Sequence, residues 1–277
     1  MTDTNSIRVD KHELPFVAPC NQLPTFAAVE WMKLAWHDYK RTLKVSLTFG
    51  VFFTVLSYLL ALSGWYWGGA ALLFSLLSGF VFVAPILALG LYSVSWQINA
   101  GFQPKFTYCF REGRRHVSNE LVFSFVLLII FLLWVRAGSA LHIFFPMNTD
   151  SKIEDFIFFF SIGSAVGAVF ALIVFSASAF ALPMMMDRKA DAITAVLTSV
   201  SAVRKNKLPL IIWAATIVSC LLICLVTGFL AMIVLMPMLG YATWHGYKQT
   251  INPQLWEKNR KLNDKNPLPR KWMKKSK

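Results

Sequence analysis

Six long apolar stretches occupy most of residues 45–247 and constrain this chain more than any other feature. A helix needs ~20 apolar residues to cross a hydrocarbon core ~30 Å thick. With 56% hydrophobic and 15% charged residues, the chain has too little polar surface for a soluble domain of its size. The sequence therefore predicts an all-α, polytopic membrane protein with six transmembrane helices arranged as three hairpins. The stretches lie at about 45–62, 69–96, 121–141, 156–182, 209–227 and 229–247.

The last two stretches form one continuous apolar run from Pro209 to Tyr247. This run is about twice the length of one crossing. A tight turn at Thr227-Gly228 is therefore expected, which makes the run a hairpin.

Lys and Arg are unevenly distributed among the connecting segments. Loops rich in Lys and Arg stay on the cytoplasmic side of a membrane. The distribution predicts that both termini lie in the cytoplasm. The rich segments are 1–44, 97–120, 183–208 and the tail from Lys248, whereas 63–68 has no Lys or Arg and 142–155 has one.

The net charge of +13 comes mostly from the tail, where ten Lys or Arg stand against Glu257 and Asp264. Basic residues next to a bilayer are attracted to anionic headgroups by ~1 kcal/mol each. The predicted partner of the tail is therefore the lipid surface. Nucleic-acid binding is not predicted.

Three cytoplasmic segments precede outward spans and are expected to be short amphipathic helices: 25–44, 105–120 and 190–207. In the first, Phe26, Val29, Leu34 and Trp36 recur near one face, and in the third Ile193, Val196, Leu197, Val200 and Val203 do so. The predicted domains are a flexible N-terminus (1–24), a six-helix membrane domain (25–250) and a basic tail (251–277).

Each inward span carries a proline toward its cytoplasmic end: Pro85, Pro183 and Pro237. A proline inside a helix frees a carbonyl group and bends the helix. These residues are candidate hinges of the kind found in transporters. The alternative is that they are structural kinks that let the hairpins pack.

Arg136 is a basic residue inside the third apolar stretch, about five residues from its outer end. An intramembrane charge often marks a functional site. From this depth Arg136 can also reach the outer headgroups with its long side chain, or make a polar contact between helices.

Two histidines have similar aromatic neighbours, His37 in Trp36-His37-Asp38-Tyr39 and His245 in Trp244-His245-Gly246-Tyr247. Both are predicted at the cytoplasmic interface, where they are candidate functional residues or members of an aromatic belt. The spacing of Cys and His residues does not indicate a zinc site. No metal site and no cofactor are predicted.

No P-loop, dinucleotide-binding glycine pattern or hydrolase motif occurs in the sequence. The chain is therefore predicted to be non-enzymatic and to act through protein or lipid contacts, as in the assembly or support of a membrane complex. Gly163 and Gly167 form a small-residue face, continued by Ala171, that permits close helix packing within the chain or with a partner. A small-solute or metal transporter is the alternative.

Three motifs resemble an uncharacterised family of bacterial integral membrane proteins, DUF2189. They are the stretch from Gly79 to Tyr92, Trp134-Val-Arg-Ala137, and the stretch from Met236 to Tyr247. The resemblance extends over about residues 26–250 and implies a six-span inner-membrane protein. It implies no activity, but it places Arg136 and His245 within family motifs.

Overall fold

Ten α-helices make up the part of the chain that the structure describes. The computed structural model describes residues 15–67, 70–113, 117–144 and 153–259. In chain order the helices are α1 (Ala27–Arg41), α2 (Leu43–Trp67), α3 (Ala70–Asn99), α4 (Phe106–Gly113), α5 (Val117–Phe144), α6 (Ile153–Ser178), α7 (Ala181–Asp187), α8 (Ala192–Lys205), α9 (Lys207–Val226) and α10 (Met232–Thr250). Five of the six predicted apolar stretches coincide with one long helix each, the fourth is divided between α6 and α7, and each predicted amphipathic segment contains a short helix.

Four segments of the described chain are long and apolar enough to cross a membrane. The all-α class and the membrane-spanning character are thus confirmed, but the six crossings and their arrangement as three hairpins are not. α10 falls outside the set because its uninterrupted apolar run covers only Met232–Leu239, before Gly240. The four segments are Leu43–Tyr66, Glu120–Ala140, Phe156–Asp187 and Lys207–Val226.

α10 packs unusually closely against α2. A β-carbon on Gly50 would lie 2.0 Å from the carbonyl oxygen of Ile233, so only glycine fits at this point. Pro237 stands four residues after Ile233 and has no N–H to offer that carbonyl. The freed oxygen instead accepts a hydrogen bond from the Tyr39 hydroxyl at 3.5 Å. Pro237 therefore lies at a packed contact among α1, α2 and α10.

The predicted fourth span is interrupted before its proline. α6 ends at Ser178, and α7 begins at Ala181 after a two-residue break. Pro183 lies in the first turn of α7, where a missing N–H costs no helical hydrogen bond. The break is held by α8, because the Phe180 N–H donates to the Ser199 hydroxyl at 3.1 Å.

One end of the bundle carries α1, α7, α8 and the second half of α10, and we call it the basal end. The segment before α1 lies against it. The Asn21 N–H donates to the carbonyl of Thr250 at 2.7 Å, and the Ala18 N–H donates to the Thr198 hydroxyl at 3.0 Å. Of the predicted flexible N-terminus, residues 1–14 lie outside the described residues.

The segment after α10 lies against the basal end as well. Trp256 is buried, and its carbonyl accepts a hydrogen bond from Arg188 at 2.9 Å. The Asn259 N–H donates to the carbonyl of Asp187 at 3.0 Å. Of the predicted basic tail, residues 260–277 lie outside the described residues.

Candidate functional site

A buried acidic residue, Asp38, joins three helices at the basal end. One of its carboxylate oxygens accepts a hydrogen bond from the Ser95 hydroxyl of α3 at 2.7 Å. The same oxygen lies 2.8 Å from Nε2 of His245 on α10. The side chains of Asp38 and His245 are only 5% and 11% exposed. We call these three residues the Asp38 cluster.

A second row of hydroxyl groups continues from the Asp38 cluster along the same helices. The Thr42 hydroxyl donates to the carbonyl oxygen of Asp38 at 2.8 Å and lies 3.1 Å from the Ser46 hydroxyl. Ser46 is in turn 2.9 Å from the Tyr241 hydroxyl. The α1–α2 junction is thereby hydrogen-bonded to α10 through a connected chain of polar side chains.

The Asp38 cluster lacks the geometry of a nucleophilic triad. In a triad the histidine takes the proton of the nucleophile while the acid orients the histidine. Here the carboxylate lies between the other two groups, and Ser95 donates to Asp38. Buried polar groups that are satisfied in this way fix the relative positions of helices, so the arrangement suits positioning.

A second buried ionic group lies at the end of α7. The Tyr247 hydroxyl donates to the Asp187 carboxylate at 2.9 Å, and Arg188 Nε lies 3.2 Å from the same oxygen. Arg188 also donates to the carbonyl of Trp256. This group ties α7, α10 and the C-terminal segment together.

An apolar cleft of about 540 Å³ opens between α3, α5 and α6. Its volume is within the range of ~300–1,000 Å³ that is usual for small-molecule sites. Its walls include Pro85 and Ala88 from α3, Trp134 from α5, and Gly167 and Ala171 from α6. Three features singled out in the sequence therefore meet in this cleft: a proline, the Trp134 motif and the small-residue face.

The chemistry of the cleft walls favours a hydrocarbon occupant. Ser178 is the hydroxyl-bearing residue of the lining, and its hydroxyl already donates to the carbonyl of Val174 at 2.7 Å. Gly167 is open toward the cleft, because a β-carbon there would meet only the Trp134 Nε1 atom, at 3.9 Å. Polar groups that would orient a polar ligand are thus few.

Arg136 lies away from the cleft. It is exposed, and two positions along an α-helix turn a side chain by ~200° relative to Trp134, which lines the cleft. Its functional role remains a prediction. An exposed side chain near the end of an apolar helix is in a suitable position to reach headgroups.

The structure does not bring the two candidate histidines together. His245 pairs with Asp38, whereas His37 is exposed and turned by ~100° from its neighbour Asp38 around α1. Among the described residues, no group of three or more His, Cys, Asp or Glu side chains is arranged to hold a metal ion.

Sequence reasoning did not single out Asp38 or Ser95 as site residues. A signal for Asp38 was present, because it falls on the same helical face as Ala27, Trp31 and Ala35, which are all buried. An acidic residue on the buried face of a helix requires a partner. The signal does not identify that partner, which comes from helices far along the chain.

The fold and these sites define an integral membrane protein, all-helical in its described part, with an apolar cleft between its long helices. Residues 72–187 match the model of the DUF2189 family, described as a predicted integral membrane protein. The match confirms the family resemblance over a shorter range than the motifs suggest. No curated protein and no solved structure matches the chain.

Proposed function

We propose that this protein is a non-enzymatic, multi-pass inner-membrane protein that works through lipid contacts and supports a membrane complex. The basal end faces the cytoplasm in this proposal, with both termini on that side, because the Lys- and Arg-rich segments lie there. The hairpins α2/α3, α5/α6 and α9/α10 all point outward from it. The basic tail then contacts anionic headgroups.

The observation that carries the proposal is the apolar cleft, whose described lining residues fall between residues 84 and 182, within the family match. We propose that it holds one hydrocarbon chain, acyl or isoprenoid, from the surrounding membrane. Its wall on α5 runs from Phe123 to Trp134, about 16 Å at the rise of an α-helix. The volume of about 540 Å³ and the apolar walls suit a single hydrocarbon chain.

The test is to purify the protein in mild detergent and to identify bound molecules by mass spectrometry. Gly167→Leu fills the cleft and is expected to reduce the retained lipid or isoprenoid several-fold. Gly163→Leu is the matched control, because Gly163 lies one turn away with nothing within 4 Å of its β-carbon position and is outside the cleft lining. Equal retention in Gly167→Leu and the unsubstituted protein would contradict the proposal.

The same experiment addresses the transporter alternative, which remains a prediction. Bound copper or a polar solute, with neither a chain-bearing ligand nor a protein partner, would favour transport. The exposed position of Arg136 on the far side of α5 adds no support to that alternative.

A further inference from the structure

We infer that the α9/α10 hairpin enters the membrane from the basal end and turns back inside the hydrocarbon, so that its tip contacts lipid chains of the outer leaflet. The hairpin tip comprises residues 225–231. Its orientation rests on the proposed function, but its depth relative to α2 does not. The inference replaces the predicted fifth and sixth crossings with one re-entrant hairpin. α9 is by itself long and apolar enough to cross, but its first turns lie in the base, where Trp213 packs against Trp31 of α1.

The depth of the hairpin tip is fixed by its contacts with α2. The Thr54 hydroxyl lies 3.5 Å from the carbonyl oxygen of Phe229, and the Tyr58 hydroxyl donates to the carbonyl of Gly228 at 2.5 Å. Tyr58 stands eight residues before Tyr66, which is ~12 Å along a helix. The tip therefore stops about 12 Å or more short of the end of the α2 span.

α2 itself marks the two surfaces of the membrane. Lys44 is exposed at one end, while Trp65 and Tyr66 are 85% and 74% exposed at the other. Aromatic residues of this kind favour the headgroup level. Tyr58 lies fourteen residues beyond Lys44, or ~21 Å, within a hydrocarbon core of ~30 Å. The tip is thus at the level of the hydrocarbon.

The side chains of the hairpin tip suit lipid better than water. Val226 is 86% exposed, and Leu225 and Leu230 are 63% and 60% exposed. Turns in water are rich in Asn, Asp, Ser, Gly and Pro, whereas this one reads Leu-Val-Thr-Gly-Phe-Leu-Ala. The hydroxyl of Thr227 is also occupied, because it donates to the carbonyl of Ile223 at 2.8 Å.

The backbone of the turn meets the main requirement for non-helical chain at membrane depth. There, every polar backbone group needs a partner within the protein. Each backbone N–H from Thr227 to Leu235 has an acceptor; that of Phe229 donates to Cys224 O at 2.7 Å, and that of Ala231 to the Thr227 hydroxyl at 3.2 Å. The carbonyls of Gly228 and Phe229 accept hydrogen bonds from the hydroxyl groups of Tyr58 and Thr54 on α2.

α10 is also too short in its apolar part to cross. Its run from Met232 to Leu239 spans eight residues, ~12 Å. Beyond it, Tyr241 is hydrogen-bonded to Ser46, two residues after Lys44 on α2. The helix thus returns to the level of the basal surface without an apolar run long enough for a full crossing.

The test uses three separate cysteine substitutions at exposed positions: Val226→Cys at the tip, Tyr66→Cys at the end of α2, and Lys248→Cys at the basal end. Labelling by a membrane-impermeant maleimide is measured in right-side-out and inside-out vesicles, above the background of the unsubstituted protein. A thiol in hydrocarbon stays protonated and unreactive, so Val226→Cys is expected to react at least about tenfold more slowly than both others from either side.

A nitroxide attached at each position gives an independent reading of depth. At Val226→Cys it is expected to collide more with oxygen than with a water-soluble nickel chelate, and at Tyr66→Cys the preference is reversed. Labelling of Val226→Cys as fast as Tyr66→Cys and from the same face would overturn the inference. Labelling of Tyr66→Cys from the cytoplasmic face and of Lys248→Cys from the outer face would overturn the orientation in the proposed function instead.

Discussion

Asp38 is an acidic side chain on a helical face that is otherwise buried and apolar. Burying a carboxylate is costly unless hydrogen bonds compensate for the lost water. The Asp38 cluster provides this compensation with one group from α3 and one from α10. Asp38 therefore links α1 to both α3 and α10.

Replacing Asp38 with alanine is expected to lower the free energy of unfolding by about 3 kcal/mol, because it leaves two buried polar groups without their acceptor. Glu30→Ala is the matched control, since Glu30 is an exposed acid on the same helix; its effect is expected within about 0.5 kcal/mol. Reversible unfolding in mixed micelles measures both. In a double-mutant cycle, Asp38→Ala and His245→Ala should destabilise by less than their sum. Equal losses for Asp38→Ala and Glu30→Ala would show that the cluster carries no stability.

At the scale of helices, α1 and α8 bury mainly alanines and turn most of their large apolar residues outward. α1 buries Ala27, Ala28, Trp31 and Ala35, whereas Phe26, Val29, Leu34 and Trp36 are exposed. α8 likewise buries Ala192, Ala195 and Ala202 and exposes Ile193 and Leu197. Small residues permit close backbone approach. Large apolar residues at the surface of a membrane protein meet lipid, as at an interfacial helix.

This reversal explains what the sequence predicts well and what it does not. Lengths and positions of the long helices follow from apolar runs, and the turn at Thr227-Gly228 follows from a run twice too long for one crossing. Hydropathy alone does not show which face of α1 is buried, because lipid and protein interior favour the same residues. Nor does it place the tip of the hairpin, whose depth depends on its contacts with Thr54 and Tyr58.

The contact between α2 and α10 gives the sharpest prediction at this scale. Gly50→Ala places a β-carbon 2.0 Å from the Ile233 carbonyl oxygen, so the two helices must separate. We expect a loss of about 1–3 kcal/mol from this overpacking. Gly64→Ala is the control on the same helix, because nothing lies within 4 Å of its β-carbon position; the higher helix propensity of alanine should leave it neutral or more stable by up to about 1 kcal/mol. Thermal unfolding in detergent compares them, and equal midpoints would contradict the close packing.

At the scale of the whole molecule, the described segments before α1 and after α10 both pack on the basal end. The N-terminal segment is paired with α10 through Asn21, and the C-terminal segment is paired with α7 through Asn259. The Asp38 cluster and the Lys- and Arg-rich connections lie at this same end. So does the buried ionic group of Asp187, Arg188 and Tyr247. The far side of the molecule instead presents apolar helices to the membrane. The described part of the molecule is thus built as a polar, well-packed base from which long apolar helices extend.

This polarity makes the orientation directly testable. A reporter that is active only outside the cytoplasm, fused after Lys277, is expected to remain inactive, because positive charge keeps the tail inside. The same reporter fused after Trp67, at the end of α2, is expected to be active, since one full crossing precedes it. The pair is its own control, because each fusion must give the opposite signal in the same cells. Activity after Lys277 together with silence after Trp67 would reverse the topology. The depth of the α9/α10 hairpin relative to α2 would be unaffected, because its contacts with Thr54 and Tyr58 do not depend on which side of the membrane is the cytoplasm.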